Sequence, residues 1–218
     1  MSTDDERNRD PISAFLEGAR AVARAIADPA VAHAWDTLSV LEGQKVSGLA
    51  GHLARGGVWV VADYLDRAAP VGPVDFDSAG DYFASIMSAV SPEDHQAIRD
   101  RGAAVAAAGH EALVDQLHAR LEALEPRLGT ADADRLIAVI DGKVMRLADY
   151  LLTRIVEQAV HLDDLARSTG HEPWPYPRPG RGLAIEIGVN IARRRSGDAA
   201  VLRALYRDGF SPGAMPVL

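Results

Sequence analysis

Glu157 and His161 stand four residues apart in Thr153-Arg-Ile-Val-Glu157-Gln-Ala-Val-His161-Leu-Asp-Asp164-Leu165, a stretch whose apolar spacing predicts a helix. At that spacing the carboxylate and the imidazole project from one face, a turn apart, where both can reach one metal ion. A second helix-like stretch, Gly48 to Gly56, carries His52 among small residues. His52, Glu157 and His161 together make a set of two imidazoles and one carboxylate with coordination positions left open, which a catalytic metal requires.

Each piece also has an ordinary explanation. A Glu and His at i,i+4 can be a surface pair that contributes only about 0.2–0.5 kcal/mol. A lone histidine is often a core residue hydrogen-bonded to a neighbour. On a helical projection Gly48, His52, Gly56, Trp59 and Asp63 share one face, while Leu49 and Leu53 turn toward the core. A mid-helix glycine costs about 1 kcal/mol relative to alanine, so Gly48 and Gly56 are expected either to allow close packing or to leave space beside His52. Arg154, Glu157, His161 and Asp164 fall on one stripe at the edge of the core.

Four long helices are predicted to position these groups: Pro11 to about His33, Val46 to about Arg67, a third running from its Ser91 N-cap to about Leu124, and Leu147 to about Ser168. Pro126 and Gly129 are expected to stop the third. Asp77 to Ala89 reads as a shorter amphipathic segment, and the apolar runs around Asp141-Gly142 predict a small β-hairpin. The first ten residues are expected to be disordered, residues 11–169 to form the bundle, and residues 170–218 to be a Pro-rich loop, Gly170 to Gly182, and short helices packed on it. The fold class expected is all-α, a four-helix bundle with one hairpin, an architecture that often builds metal sites between facing helices.

Composition narrows the function. The 218 residues are 48% hydrophobic, enough for one sizeable core. A formal charge of -8, with arginines scattered among acids, argues against nucleic acid as a partner. Arg193 to Arg195, the basic run, reads as a helix end complementing the macrodipole. No apolar run reaches the length of a membrane span and no signal core is visible, so a cytoplasmic protein is expected. The chain contains no cysteine, so any sulfur chemistry must use a substrate thiol.

The stretch Val46-Ser-Gly-Leu-Ala-Gly-His52-Leu-Ala-Arg55, followed far downstream by Asp149-Tyr-Leu-Leu-Thr-Arg154-Ile-Val-Glu157-Gln-Ala-Val-His161-Leu-Asp-Asp164-Leu, resembles the mycothiol-dependent maleylpyruvate isomerase N-terminal domain family of the DinB-like superfamily, over about Phe15 to Ser168. The resemblance implies a DinB-like four-helix bundle with a divalent metal, usually zinc, on His52, Glu157 and His161. It also implies mycothiol, the small cysteine-containing thiol of actinobacteria, as a cosubstrate activated beside the metal. Gly56 and Trp59 are then expected next to the thiol. Arg154 becomes a candidate anion contact and Asp164 a candidate partner for the second nitrogen of His161, with a helix-surface ion pair as the alternative account of both. Tyr150, Trp59 and Phe83 are candidate pocket walls, with plain core as the alternative account of all three.

In the isomerase itself a separate C-terminal domain contributes a catalytic arginine, and the roughly 50 residues after Ser168 are fewer than a domain of ordinary size. The expectation is therefore a metal-dependent thiol transferase that conjugates or isomerises a small electrophile. A non-catalytic metal- or thiol-binding bundle with a stress or sensor role is the rival. A homodimer is the self-association the sequence admits.

Overall fold

The computed structural model describes residues 10–89 and 91–207; residues 1–9, for which disorder is expected, lie outside them. Helix α1, Pro11–Ile26, opens under Asp10, whose carboxylate accepts from the Ile12 and Ser13 amides. It ends earlier than the periodicity predicts. Asp28 accepts from the Ala30 amide at 2.8 Å and starts a separate short helix α2, Pro29–His33, with proline in its first turn. The continuous helix expected to His33 is thus two.

Helix α3, Val46–Ala54, runs through a π-helical turn, Arg55–Trp59, into α4, Val60–Leu65. Helix α5, Ala79–Ala89, follows. Ser91 and Asp94 then form a reciprocal capping box on α6, Pro92–Ala106. The predicted helix from there to Leu124 is broken at Gly109, whose φ of 98° no helix accommodates, and α7, His110–Gly129, is a separate element. Pro126 lies inside α7 and does not stop it. It falls in the last turn, where the one amide bond it removes would be made to an exposed carbonyl.

Strands β1, Leu136–Ala138, and β2, Val144–Arg146, pair antiparallel with Ile137 opposite Met145. Asp141 and Gly142 both take positive φ in the turn between them, as the Asp-Gly signal predicts. Helix α8, Leu147–Thr169, ends at Gly170. Helix α9, Arg178–Ser196, begins inside the segment expected to be loop, because Pro179 sits in a first turn where its missing N–H is not needed. Helix α10 is Asp198–Tyr206.

Four elements form the bundle: α1, α7, the α3–π–α4 helix and α8, each contacting its neighbours in that cyclic order. Their apolar faces meet in one core containing Phe15, Ile26, Leu53, Leu117, Leu124 and Leu151, all fully or almost fully buried. Helix α6 lies outside this ring, across α3, and α9 packs on α8, α5 and α1. Among the described residues no helix is long and apolar enough to cross a membrane.

Helices α3 and α6 cross in close contact, and glycines permit it. A Cβ on Gly102 would lie 2.5 Å from the Gly48 carbonyl oxygen and 3.2 Å from the His52 backbone and Cβ; one on Gly51 would collide with the Gly102 carbonyl. Gly102→Val should therefore separate the helices and destabilise the fold by about 1–3 kcal/mol. Urea unfolding checks this, and an unchanged midpoint would contradict it.

Candidate functional site

The site is assembled where α8 faces the π turn. In that turn the Val60 N–H donates to the Arg55 carbonyl, five residues back, so the turn holds one residue more than an α-helical one. Every later position on the helix face moves on by one. Trp59 and Asp63, expected beside His52, are replaced there by Val60 and Tyr64, which line the space next to His52 and Gly56. Trp59 is buried toward α7, with the Arg120 guanidinium 4.7 Å from its ring centre. The structure does not bring it to the site.

Two side chains of α8 hold the turn. Arg154 Nη1 donates to the Gly56 carbonyl at 3.0 Å, and Gln158 Nε2 donates to the Gly57 carbonyl at 2.8 Å. Both residues are buried, Gln158 completely. Tyr176, on the segment leading into α9, donates its hydroxyl to Gln158 Oε1 at 2.9 Å, and Arg154 Nε donates to Thr153 Oγ1 at 3.0 Å. Arg154 is therefore not the exposed partner of a surface ion pair. Gln158 carried no polar-chemistry signal in the sequence, because a glutamine between two site residues looks like a solvated helix position.

Glu157 lies between these two clamps and His161 one turn on. Glu157 Oε2 is 3.3 Å from His52 Nε2 and 3.5 Å from His161 Nε2, and the three candidate ligand atoms all lie within 4.8 Å of one another. Two ligands held tetrahedrally at 2.0–2.1 Å from one zinc ion are about 3.3 Å apart, so the donor types and the two separations from Glu157 fit such an ion. The two imidazoles meet edge to face with centroids 4.9 Å apart. Gly56 leaves room here, since a Cβ built on it would meet only the His52 ring, at 3.5 Å.

Asp164 Oδ2 accepts from His161 Nδ1 at 3.0 Å. A carboxylate is acceptor-only, so this bond fixes the proton on Nδ1 and turns Nε2 toward Glu157. Burial disfavours the imidazolium, but the Asp164 and Glu157 carboxylates outweigh it and push the His161 pKa up to about 9. Burial likewise opposes the Glu157 charge, yet hydrogen bonds from His161 and His52, with the nearby Arg154 charge, hold its carboxyl well below the usual range. A second proton on His161 thus occupies the place a cation would take.

Two cavities share His52 and Glu157 in their walls. One, about 200 Å³, is lined by Arg55, Tyr64, Tyr82, Tyr150 and Arg154; the other, about 440 Å³, extends past His161 along Phe83, Ile86, Ile98 and Val160. Burial raises the Tyr82 and Tyr150 phenols, so both remain O–H donors at neutral pH. Tyr150 and Phe83 are walls. Tyr64, Tyr82, Arg55 and Arg101 were not foreseen: the break in helical register hid Tyr64, whereas Tyr82 and Arg101 lie outside the two motifs, and Arg55 closes the first motif with no role assigned to it.

Replacing Gln158 by Leu keeps the volume but leaves the Gly57 carbonyl and the Tyr176 hydroxyl without their buried partner. The cost should be about 1–3 kcal/mol per stranded group, read as a lower midpoint in chemical denaturation. A variant as stable as the parent would show that the clamp is dispensable.

No curated protein and no solved structure matches the chain. The model of the mycothiol maleylpyruvate isomerase N-terminal domain family matches residues 15–166, which span α1 to α8 and include all three converging side chains. With an all-α DinB-like bundle and a match across most of its length, the chain belongs to the mycothiol maleylpyruvate isomerase N-terminal domain family.

Proposed function

We propose that this protein is a metal-dependent thiol transferase that adds mycothiol to a small electrophile, or isomerises the electrophile through the same adduct, with His52, Glu157 and His161 as ligands of a zinc ion. The observation that carries the reading is the convergence of two imidazole nitrogens and one carboxylate oxygen at metal-ligand spacing between two cavities. Membership of a mycothiol-named family supplies the thiol, and the absence of cysteine from the chain is in keeping with a sulfur nucleophile that comes from outside. When bound, a divalent ion lowers the pKa of an adjacent thiol so that thiolate is available near neutral pH.

The chain's residues supply the rest. Asp164 keeps His161 in the tautomer that presents Nε2. Arg154, fixed by the Gly56 carbonyl, sets a positive charge on the wall of the smaller cavity. Gly56 keeps the approach to His52 clear, and the apolar walls of the larger cavity exclude water from part of the site. For addition to an activated double bond, sulfur bonds to the β-carbon, the π pair moves to the α-carbon, and the thiol proton ends there, so no oxidant or reductant is required.

One zinc per chain is expected by elemental analysis, with His52→Ala and His161→Ala each losing most of it. Metal must displace the proton from His161, so uptake should release a proton and affinity should rise about tenfold per pH unit until about pH 9, then level. Full occupancy in both variants, or affinity independent of pH, would remove the assignment.

Metal-loaded protein should consume mycothiol in the presence of an electrophile from a broad panel, and chelation should abolish the rate. Elimination of one protein ligand should lower kcat/KM by 100-fold or more, comparable to losing a principal electrostatic contribution. Zinc binding without thiol consumption by any electrophile would instead support a non-catalytic metal-binding bundle.

A further inference from the structure

The clamp on the π turn is completed from outside the matched family domain. The family model ends at residue 166, and Tyr176 lies beyond it, yet its side chain is buried between α8, α1 and α9. Gln158 Nε2 directs its hydrogens at the Gly57 carbonyl, 2.8 Å away, and the Phe15 carbonyl, 3.5 Å away. Turning the amide over would set its oxygen against both carbonyls, so Oε1 needs a donor on its other side. Among the described residues that donor is the Tyr176 hydroxyl, at 2.9 Å. The Ile155 carbonyl, 3.4 Å from the hydroxyl, competes less well because the α8 ladder already uses it. Burial raises the phenol, so the donor proton stays in place at neutral pH. Two glycines make the slot for the ring. A Cβ on Gly18 of α1 would collide with Gln158 Oε1 and lie 2.5 Å from the Tyr176 hydroxyl oxygen, and one on Gly180 of α9 would lie 3.0 Å from the ring. The segment is tied on either side of the ring: Trp174 Nε1 donates to Asp28 Oδ2 at 3.3 Å, and Arg181 Nη2 donates to the Tyr176 carbonyl at 3.1 Å.

We propose that Tyr176 is a positioning residue for the metal site: its hydroxyl orients the Gln158 amide, which pins the π turn, so a residue beyond the family domain sets the geometry of His52, Glu157 and His161. This rests on the metal-binding reading for the word site, but the strut itself needs no metal. Gln158 follows Glu157 directly, and Gly57 stands one turn after His52, so the bond between them ties the two helices beside the ligands. Without the hydroxyl, Oε1 is an unpaired acceptor with no access to water, which is costly, and the amide regains a partner only by turning away from Gly57. A π turn is rare and holds one residue more than an α-helical turn. With the Gly57 carbonyl released, α-helical pairing competes with it, and any change of register there turns His52 relative to Glu157 and His161.

The test uses the full chain and Tyr176→Phe, which keeps the ring and removes only the hydroxyl. In the metal-free proteins, NMR follows the cross-relaxation between the Gln158 side-chain amide protons and the π turn, which should be strong in the parent and lost in the variant. Zinc affinity, read by competition with a chelator, should fall about tenfold, the lower end of what loss of an orienting partner costs a metal site. In a Gln158→Leu background the same change should cost almost nothing further, because Tyr176 acts through Gln158. A side chain that served stability alone would leave the folded variant with the parent's affinity and the parent's amide contacts. If Tyr176→Phe does not fold, Trp174→Phe releases the segment from Asp28 instead and should weaken the same contacts and lower zinc affinity several-fold. Unchanged contacts, unchanged affinity or fully additive losses would overturn the proposal. A parent that binds no zinc would strike the metal-binding reading alone, and the amide contacts would still decide the strut.

Discussion

Two buried hydrogen bonds, from Arg154 and Gln158 on α8 to consecutive carbonyls of the π turn, set the relation between the two halves of the site. Arg154 and Gln158 flank Glu157 on α8, and Gly56 and Gly57 follow His52 by one turn on the other helix. Fixing the carbonyls therefore fixes His52 against Glu157 and His161. A net hydrogen bond contributes only about 0.5–1.5 kcal/mol, but leaving a buried partner unsatisfied costs more, so the alternatives to this register are penalised more heavily than the register itself is favoured. The same clamp holds an arginine charge inside the bundle, where it can act on whatever enters the adjoining cavity.

Electrostatics divides the acids of the site between two tasks. Glu157 faces both imidazoles and, held ionised well below its usual range, is ready to share a cation with them. Asp164 stands behind His161 and orients it, with Arg167 3.8 Å away on the outer side. Neither carboxylate makes an ion pair with Arg154, but the Arg154 charge acts on Glu157 through space and helps to hold it ionised.

The triad was legible because metal chemistry imposes residue types and an i,i+4 spacing that survive in the linear chain, and the family motifs around His52 and Glu157 reinforced them. Helices α8 and α3 were legible from periodicity for the same reason. The π turn was not: Arg55-Gly-Gly-Val-Trp59 carries no mark of an extra residue per turn, which depends on donors 98 and 101 positions away. One missed insertion was enough to put Trp59 and Asp63 where Val60 and Tyr64 stand. The break at Gly109 was lost in an alanine-rich stretch with good helix propensity, and Asp28-Pro29 was read through because apolar spacing continues across it. Arg154 looked superficial because its charge says surface, while its neighbours on other helices bury it.

The central claim is that the three converging side chains hold a metal to which an external thiol sulfur binds. X-ray absorption at the zinc edge tests it most directly, because the chain has no cysteine to supply a thiolate of its own. Zinc-loaded protein should show nitrogen and oxygen scatterers at about 2.0–2.1 Å, and mycothiol should add one sulfur scatterer at about 2.3 Å. A spectrum that mycothiol leaves unchanged, or a shell without imidazole scattering, would contradict the account.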